Sequence, residues 1–407
     1  MQAIQFKGSI PRYAFSMALG KLTKSAFFNS FSNIQLENLP PPSFPNGEWV
    51  EVNPYYGGIC GSDMGLILLH DSPYTSPFVS FPFVIGHENC GTISRVGSEV
   101  KNLKEGMRVV VDPLLPCRTR GIKNICPACQ AGNESRCINF SRGNLSPGLM
   151  TGTCRDTGGS WSEAFIAHES QVITLPDEIS FEQGALLDSF ASALHPAARN
   201  FPRKETDRVL IIGSGPVGIC LVYALRALDY QGEITILAKY DFQARAARLA
   251  GADTVIFSGP GTPQQVADHF GLEMLKPLMG KNIPLGGVNL VFDCVGNSRS
   301  IKDGLYWTAP GGDLVLVGLA SFPKGVDWTP IWLKELNIKG IFAYSSEKYM
   351  GKQLSTYQLA LNLICDKGID LAPLLTHTFS LNEYKEAIRA NLNKKENGII
   401  KSAFKIR

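Results

Sequence analysis

The stretch Arg208-Val-Leu-Ile-Ile-Gly-Ser-Gly-Pro-Val-Gly218 decides the fold of the second half of the chain. Residues 208–212 end in four apolar β-formers and read as a buried strand. Gly213-Ser214-Gly215-Pro216-Val217-Gly218 then turns the chain into an apolar helix over residues 215–228. In that setting each glycine of G-x-G-x-x-G has its own task. The first permits a tight turn, the second lets backbone approach a pyrophosphate, and the third lets helix and strand pack closely. The helix N-terminus attracts the phosphates. Working outward, residues 233–237, 290–293 and 313–317 read as further strands and 242–250 as a second helix. Strands alternating with helices predict an α/β, doubly wound parallel sheet.

The end of the second strand selects the dinucleotide. An acid there would bind the adenosine ribose hydroxyls and favour NAD. Here the strand runs Ile236-Leu-Ala-Lys-Tyr240, with Ala238 at the acid's position. Lys239 supplies a cation for a 2′-phosphate and Tyr240 a ring to cover the adenine, so NADP is preferred and NAD remains the alternative if Lys239 is only a solvated lysine. Val295, Gly296, Val317 and Leu319 follow later strands, where ribose and nicotinamide contacts are expected.

The first 185 or so residues have another grammar: short strands such as Trp49-Val-Glu-Val52, Gly91-Thr-Ile-Ser-Arg-Val96 and Arg108-Val-Val-Val111, separated by Pro, Gly and Asn turns. Ten cysteines in 407 residues are too few for a disulfide scaffold, yet four of them, Cys117, Cys126, Cys129 and Cys137, fall within one excursion. Four thiolates suit a tetrahedral structural zinc. A redox role for Cys126-Pro-Ala-Cys129 lacks the βαβ context it needs. Cys60, His87 and Glu88 supply a second set of zinc-compatible donors.

The balance of charge, 39 Lys+Arg against 36 Asp+Glu, gives +3 and argues against nucleic acid or an anionic membrane as partner. There is no apolar run of transmembrane length. Residues 1–36 carry Lys7, Arg12, Lys21 and Lys24 but no acid, which keeps an organellar import segment as an alternative. The strand-like opening Met1-Gln-Ala-Ile-Gln-Phe6 and the single Arg favour a cytoplasmic enzyme.

Gly58-Ile-Cys-Gly-Ser-Asp63, Phe83-Val-Ile-Gly-His-Glu88, the glycine motif, the 184–195 segment and Gly311-Gly-Asp-Leu-Val-Leu-Val-Gly318 together resemble the zinc-dependent medium-chain alcohol/polyol dehydrogenase family, over nearly the whole chain. The resemblance implies a GroES-like β-rich catalytic domain, residues 1–187 and 345–407, around a Rossmann cofactor domain, residues 188–344. It implies that Cys60, His87 and Asp188 ligate a catalytic zinc, with Glu88 beside the metal as an occasional fourth ligand. The alternative for Asp188 is a helix N-cap. Asp63 would orient His87. Ser62 matches the family's proton-relaying hydroxyl. Cys126, Cys129 and Cys137 keep the family's C-x2-C-x7-C spacing, whereas Cys117 precedes them across an eight-residue insertion and Met107 replaces a usual turn aspartate. A homodimer or homotetramer is implied.

The expected reaction is reversible hydride transfer between an alcohol or polyol, or its aldehyde or ketone, and NADP(H). A zinc-independent reductase on the same scaffold and a nonenzymatic nucleotide-binding relative are the competing readings. The 65–82 stretch, with Tyr74, Phe78 and Phe81, and the 140–161 loop with Trp161 are candidate substrate walls, although their aromatics could equally be core.

Overall fold

Val209–Ile212 lies inside a six-stranded sheet whose order is Thr254–Phe257, Ile234–Ala238, Val209–Ile212, Val288–Asp293, Thr308–Leu316, Asn337–Gly340. Every neighbouring pair is parallel. Counted along the chain this is the order 3-2-1-4-5-6 of a Rossmann sheet, whose direction of winding reverses between Val209–Ile212 and Val288–Asp293. All four residues of Val209–Ile212 are buried, as a central strand covered on both faces requires. Leu210, Leu237, Val291, Ile301, Leu305 and Leu314 join one core between sheet and helices. The register sets Ile212 beside both Leu237 and Asp293, so three strand-end turns leave the sheet at one level.

The computed structural model describes residues 1–280 and 282–407, and two units emerge: Met1–Asp188 with Tyr344–Arg407, and Ser189–Ala343. In the first unit the long strand Trp49–Ile59 is the spine. It pairs antiparallel with Lys401–Lys405, Asn89–Val96 and Phe165–His168, within a sheet that continues to Leu375–Phe379, Arg108–Val111 and Val172–Thr174. Val50 and Val52 turn one face toward Ile93, Val109, Val111 and Phe165. Met107, in place of the expected turn aspartate, packs against this cluster. A second core gathers Ile4, Phe27, Ile59, Phe83, Trp161 and Phe404. The C-terminal strand thus completes the N-terminal unit.

Gln2–Phe6 is a strand held between Ile34–Asn38 and Phe83–Val84. A helix, Ile10–Leu19, follows it, with Arg12 and Ser16 four residues apart on one face and apolar side chains over most of the rest. Trp161 is wholly buried and donates its indole N–H to the Gly58 carbonyl at 2.8 Å, so it belongs to the core and not to a substrate wall. No helix among the described residues is long and apolar enough to cross a membrane.

Gly213 adopts φ +102°, and a Cβ on Gly218 would stand 1.9 Å from the Gly213 carbonyl oxygen. Backbone, not a movable side chain, blocks that space. Gly218→Ala is therefore expected to destabilise the protein by about 1–3 kcal/mol. The check is a lowered denaturation midpoint with zinc content unchanged in the folded fraction.

Candidate metal and cofactor sites

The register of the spine strand assembles the first group of donors. Gly57 pairs with Asn89, the Gly58 N–H donates to the Glu88 carbonyl at 3.0 Å, and Ile59 pairs with Ser402. Cys60, just past the end of the spine, is thereby set beside His87-Glu88, which lead into the neighbouring strand. The donor atoms of Cys60, His87 and Glu88 lie within 4.8 Å of one another. A Cβ on Gly58 would fall 2.1 Å from Glu88 Oε2 and 2.8 Å from its Cβ, so only glycine lets the two strands approach here.

Asp63, buried in the first turn of the helix Gly61–Ile67, fixes two members of the group. Its Oδ2 accepts the Cys60 N–H at 2.8 Å, and its Oδ1 lies 3.4 Å from His87 Nδ1. That leaves Nε2 of the imidazole for a metal. Burial disfavours the His87 cation, but the Asp63 charge and hydrogen bond and the Cys60 sulfur outweigh it and hold the imidazole pKa well up. Ser62, one residue earlier in the same turn, is half-buried.

Two carboxylates, Glu88 and Asp188, are candidates for the third donor. The structure brings Glu88, not Asp188, together with Cys60 and His87. Asp188 lies in the first turn of the helix Leu187–Arg199, inside it and not at its N-cap. Its Oδ1 accepts hydroxyl hydrogen bonds from Tyr344 and Tyr357, both at 2.7 Å. Burial raises the Asp188 pKa, the nearby His87 lowers it, Glu88 raises it, and the two tyrosines lower it. Glu88, for its part, forms a buried ion pair with Lys401, one residue before the strand partner of Ile59. Lys401 and the tyrosine pair carried no motif of their own; only the pairing of the C-terminal strand with the spine brings Lys401 to the site.

Cys117, Cys126, Cys129 and Cys137 form the second group, again with all ligand atoms within 4.8 Å. Cys117 is a full member: its sulfur lies 3.6 Å from that of Cys137. It also accepts the Cys126 N–H at 3.3 Å and the Asn139 side-chain amide at 3.2 Å. The insertion 118–125 folds around Arg120, whose buried guanidinium donates to the carbonyls of Leu115, Arg142, Leu145, Ser146 and Gly148. Five backbone acceptors thus compensate the desolvated cation. Burial opposes ionisation of Cys126, but N–H groups of Cys129 and Ile138 and neighbouring thiols draw its pKa down to about 6. Burial instead pushes Cys137 up to about 11.

In the second unit the three glycines of 213–218 differ in what surrounds them. A Cβ on Gly213 would strike Val295 at 2.4 Å and one on Gly218 the Gly213 carbonyl, whereas at Gly215 it would meet nothing within 4 Å. The clearance at Gly215, the N-cap of the helix Pro216–Ala227, is the space a pyrophosphate needs. Across the turn, Asp293 accepts the N–H groups of Val295 and Gly296 and the Ser300 hydroxyl. Val317 N–H donates to the Asp293 carbonyl, while Leu319 is exposed. Ala238 ends its strand buried; Lys239 is exposed, 5.4 Å from the Tyr240 ring. Gln243 Oε1 accepts from both Ser214 Oγ and the Lys239 N–H, tying the glycine turn to the selector loop. Neither Asp293 nor Gln243 stands out in sequence, because each acts on backbone groups brought near by folding.

Residues 46–177 match the alcohol dehydrogenase GroES-like domain, and residues 216–357 match the zinc-binding dehydrogenase family. The chain is 30% identical to sorbitol dehydrogenase of Macaca fascicularis over 87% of its own length and 88% of that protein. It is 33% identical to L-idonate 5-dehydrogenase of Vitis vinifera, over 82% of each chain. The chain belongs to the medium-chain zinc-containing alcohol/polyol dehydrogenase family. Its fold is shared by 2R,3R-butanediol dehydrogenase of Bacillus subtilis, with TM-score 0.71, 22% identity, and coverage of 100% of this chain and 99% of that one. This dehydrogenase is accordingly a zinc-dependent enzyme that uses a nicotinamide cofactor on CH–OH groups.

Two outcomes test the site of this dehydrogenase. Asp63→Asn removes the charge that orients His87, and affinity for the catalytic zinc should fall roughly 10–100-fold in competition titrations with a chromophoric chelator. In zinc-stripped protein, Cys126 should be the first of the four clustered thiols alkylated by iodoacetamide, with its rate rising through about pH 6. Peptide mass mapping identifies the modified residue.

Proposed function

We propose that this dehydrogenase reversibly oxidises a secondary alcohol of a polyol-like substrate to the ketone with NADP as the preferred acceptor. The observation that carries the cofactor choice is Ala238 at the end of its strand with exposed Lys239 next to it. A carboxylate at that point would repel a 2′-phosphate; a methyl group followed by an ammonium group does not. The polyol substrate class rests on the sorbitol and L-idonate dehydrogenase relatives.

Cys60, His87 and Glu88 would hold the catalytic zinc and the four clustered cysteines a structural one. Both donor sets fit: thiolate, imidazole and carboxylate leave an open position for substrate, whereas four thiolates close a tetrahedron. Zinc, when bound, supplies Lewis acidity that lowers the pKa of an alcohol, and the nicotinamide takes up the hydride. The chain's own residues do the rest. Asp63 keeps His87 in the tautomer that presents Nε2. Lys401 partners Glu88 and so shares its negative charge. Ser62, two residues after Cys60, is the hydroxyl that passes the alcohol proton outward. Gly213, Ser214, Gly215, Pro216, Val217 and Gly218 receive the pyrophosphate, Lys239 and Tyr240 the adenosine end, and Val295, Gly296, Val317 and Leu319 the ribose and nicotinamide. A homodimer or homotetramer is part of this reading, and a second copy would extend the parallel sheet at Asn337–Gly340, one of its two edge strands.

A single set of measurements tests this reading. Purified enzyme should contain two zinc per chain, and Cys60→Ala should retain one and lose alcohol oxidation by several orders of magnitude. Lys239→Ala should weaken NADPH binding roughly tenfold while leaving NADH within about twofold. Equal effects on both cofactors, or an unchanged preference, would remove the NADP assignment. Turnover that survives in Cys60→Ala would remove the zinc mechanism.

A further inference from the structure

The segment between the first two strands is built inside out. In the helix Ile10–Leu19 the one buried residue is Ser16, whose hydroxyl donates to the Ala26 carbonyl. The helix's single cation, Arg12, is half-buried and donates to the carbonyls of Ser30 and Ser32. With both polar side chains spent on the fold, the apolar ones face outward. Ile10 is 82% exposed, and Tyr13, Phe15 and Met17 are exposed beside it along the helix. Leu22, just past the helix end, is 84% exposed, and Phe31, which packs on Phe15 with ring centroids 5.7 Å apart, is 66% exposed. A helix that served only the core would bury its apolar side chains and leave arginine and serine to water. So many exposed apolar side chains on one short segment of a folded protein mark an interaction site.

The surrounding charge identifies the occupant. The near-neutral total argues against an anionic membrane for the chain as a whole, but the local distribution reverses that expectation: residues 7–36 hold four cations and no acid. Lys7 is paired with Glu37 and Arg12 with backbone carbonyls, which leaves exposed Lys21 and Lys24 at the C-terminal end of the apolar helix. Apolar and aromatic side chains flanked by lysines, with no carboxylate among them, suit the boundary between acyl chains and anionic headgroups. We propose that Ile10–Leu19, with Leu22 and Phe31, is a peripheral attachment site for an anionic lipid surface. The helix lies in the plane of the interface; nothing spans the bilayer. A protein partner or a second copy would equally cover an apolar face, but neither accounts for the missing acids as directly as a negatively charged bilayer does.

The test is co-sedimentation of the full-length enzyme with extruded vesicles. One set is pure phosphatidylcholine, and the other contains roughly one-third phosphatidylserine. Binding should be several-fold stronger to the anionic vesicles and should weaken as salt is raised. Lys21→Ala combined with Lys24→Ala should lower the affinity roughly 10–30-fold. Ile10→Ser combined with Leu22→Ser should lower it at least tenfold. All four positions are exposed and outside the metal and cofactor sites, so both double variants should keep zinc content and turnover. The inference is overturned if the enzyme stays in the supernatant with both vesicle types, or if either double variant binds as the parent does. It is also overturned if Ile10→Ser with Leu22→Ser reduces the oligomer mass in light scattering, which would assign the face to a second copy.

Discussion

The pairing of Trp49–Ile59 with its neighbours on both sides is the constraint from which the catalytic group follows. Cys60, His87-Glu88 and Lys401 come from three distant parts of the chain, and each stands where a strand begins or ends. Because side chains alternate along a strand, a slip of one residue would turn every member to the opposite face. The buried apolar residues of the spine, Val50 and Val52 among them, oppose such a slip, so the core holds the site in register. Clearance at Gly58 then lets the Glu88 side chain pass between strands.

Glycine works by clearance in the second unit too, but for two different clients. At Gly218 the missing side chain makes room for the protein's own backbone, and the helix packs on the strand turn. At Gly215 nothing in the protein fills the room. The open space lies next to a helix N-terminus, the setting in which the proposed pyrophosphate would be received. Asp293 stiffens the opposite wall by accepting two backbone N–H groups of the following turn. The sheet order places both walls at the point where the winding reverses.

The buried charges follow a common rule, each being compensated before it is used. Arg120 is surrounded by carbonyls, Glu88 is paired with Lys401, and Asp188 is capped by two tyrosine hydroxyls. An uncompensated charge in any of these places would cost several kcal/mol, about the net stability of a domain. The capped carboxylate sets Asp188 apart from Glu88, because its Oδ1 already accepts two hydroxyl hydrogen bonds. Sequence position marks a residue that is near the site, whereas its hydrogen-bond partners determine what its oxygens face. Tyr344 and Tyr357 lie more than 150 residues away and carry no motif that links them to it.

Local signals were sufficient for the parallel sheet, the glycine turn, the small residue at Ala238 and the clustered cysteines, because each depends on spacing within a few residues or on one strand-turn-helix unit. Long-range pairing was needed for the rest. The grouping of Glu88 with Cys60 and His87, the entry of Lys401, the membership of Cys117 across its insertion, and the hydrogen bonds of Gln243 and Asp293 all arise from contacts made after collapse. The helix Ile10–Leu19 shows the limit most plainly. Only the tertiary structure reveals that Ser16 is buried and Arg12 bonded to backbone carbonyls while its apolar side chains face outward. Composition fixes how much apolar surface a segment has; what packs against it decides which side is left to the solvent.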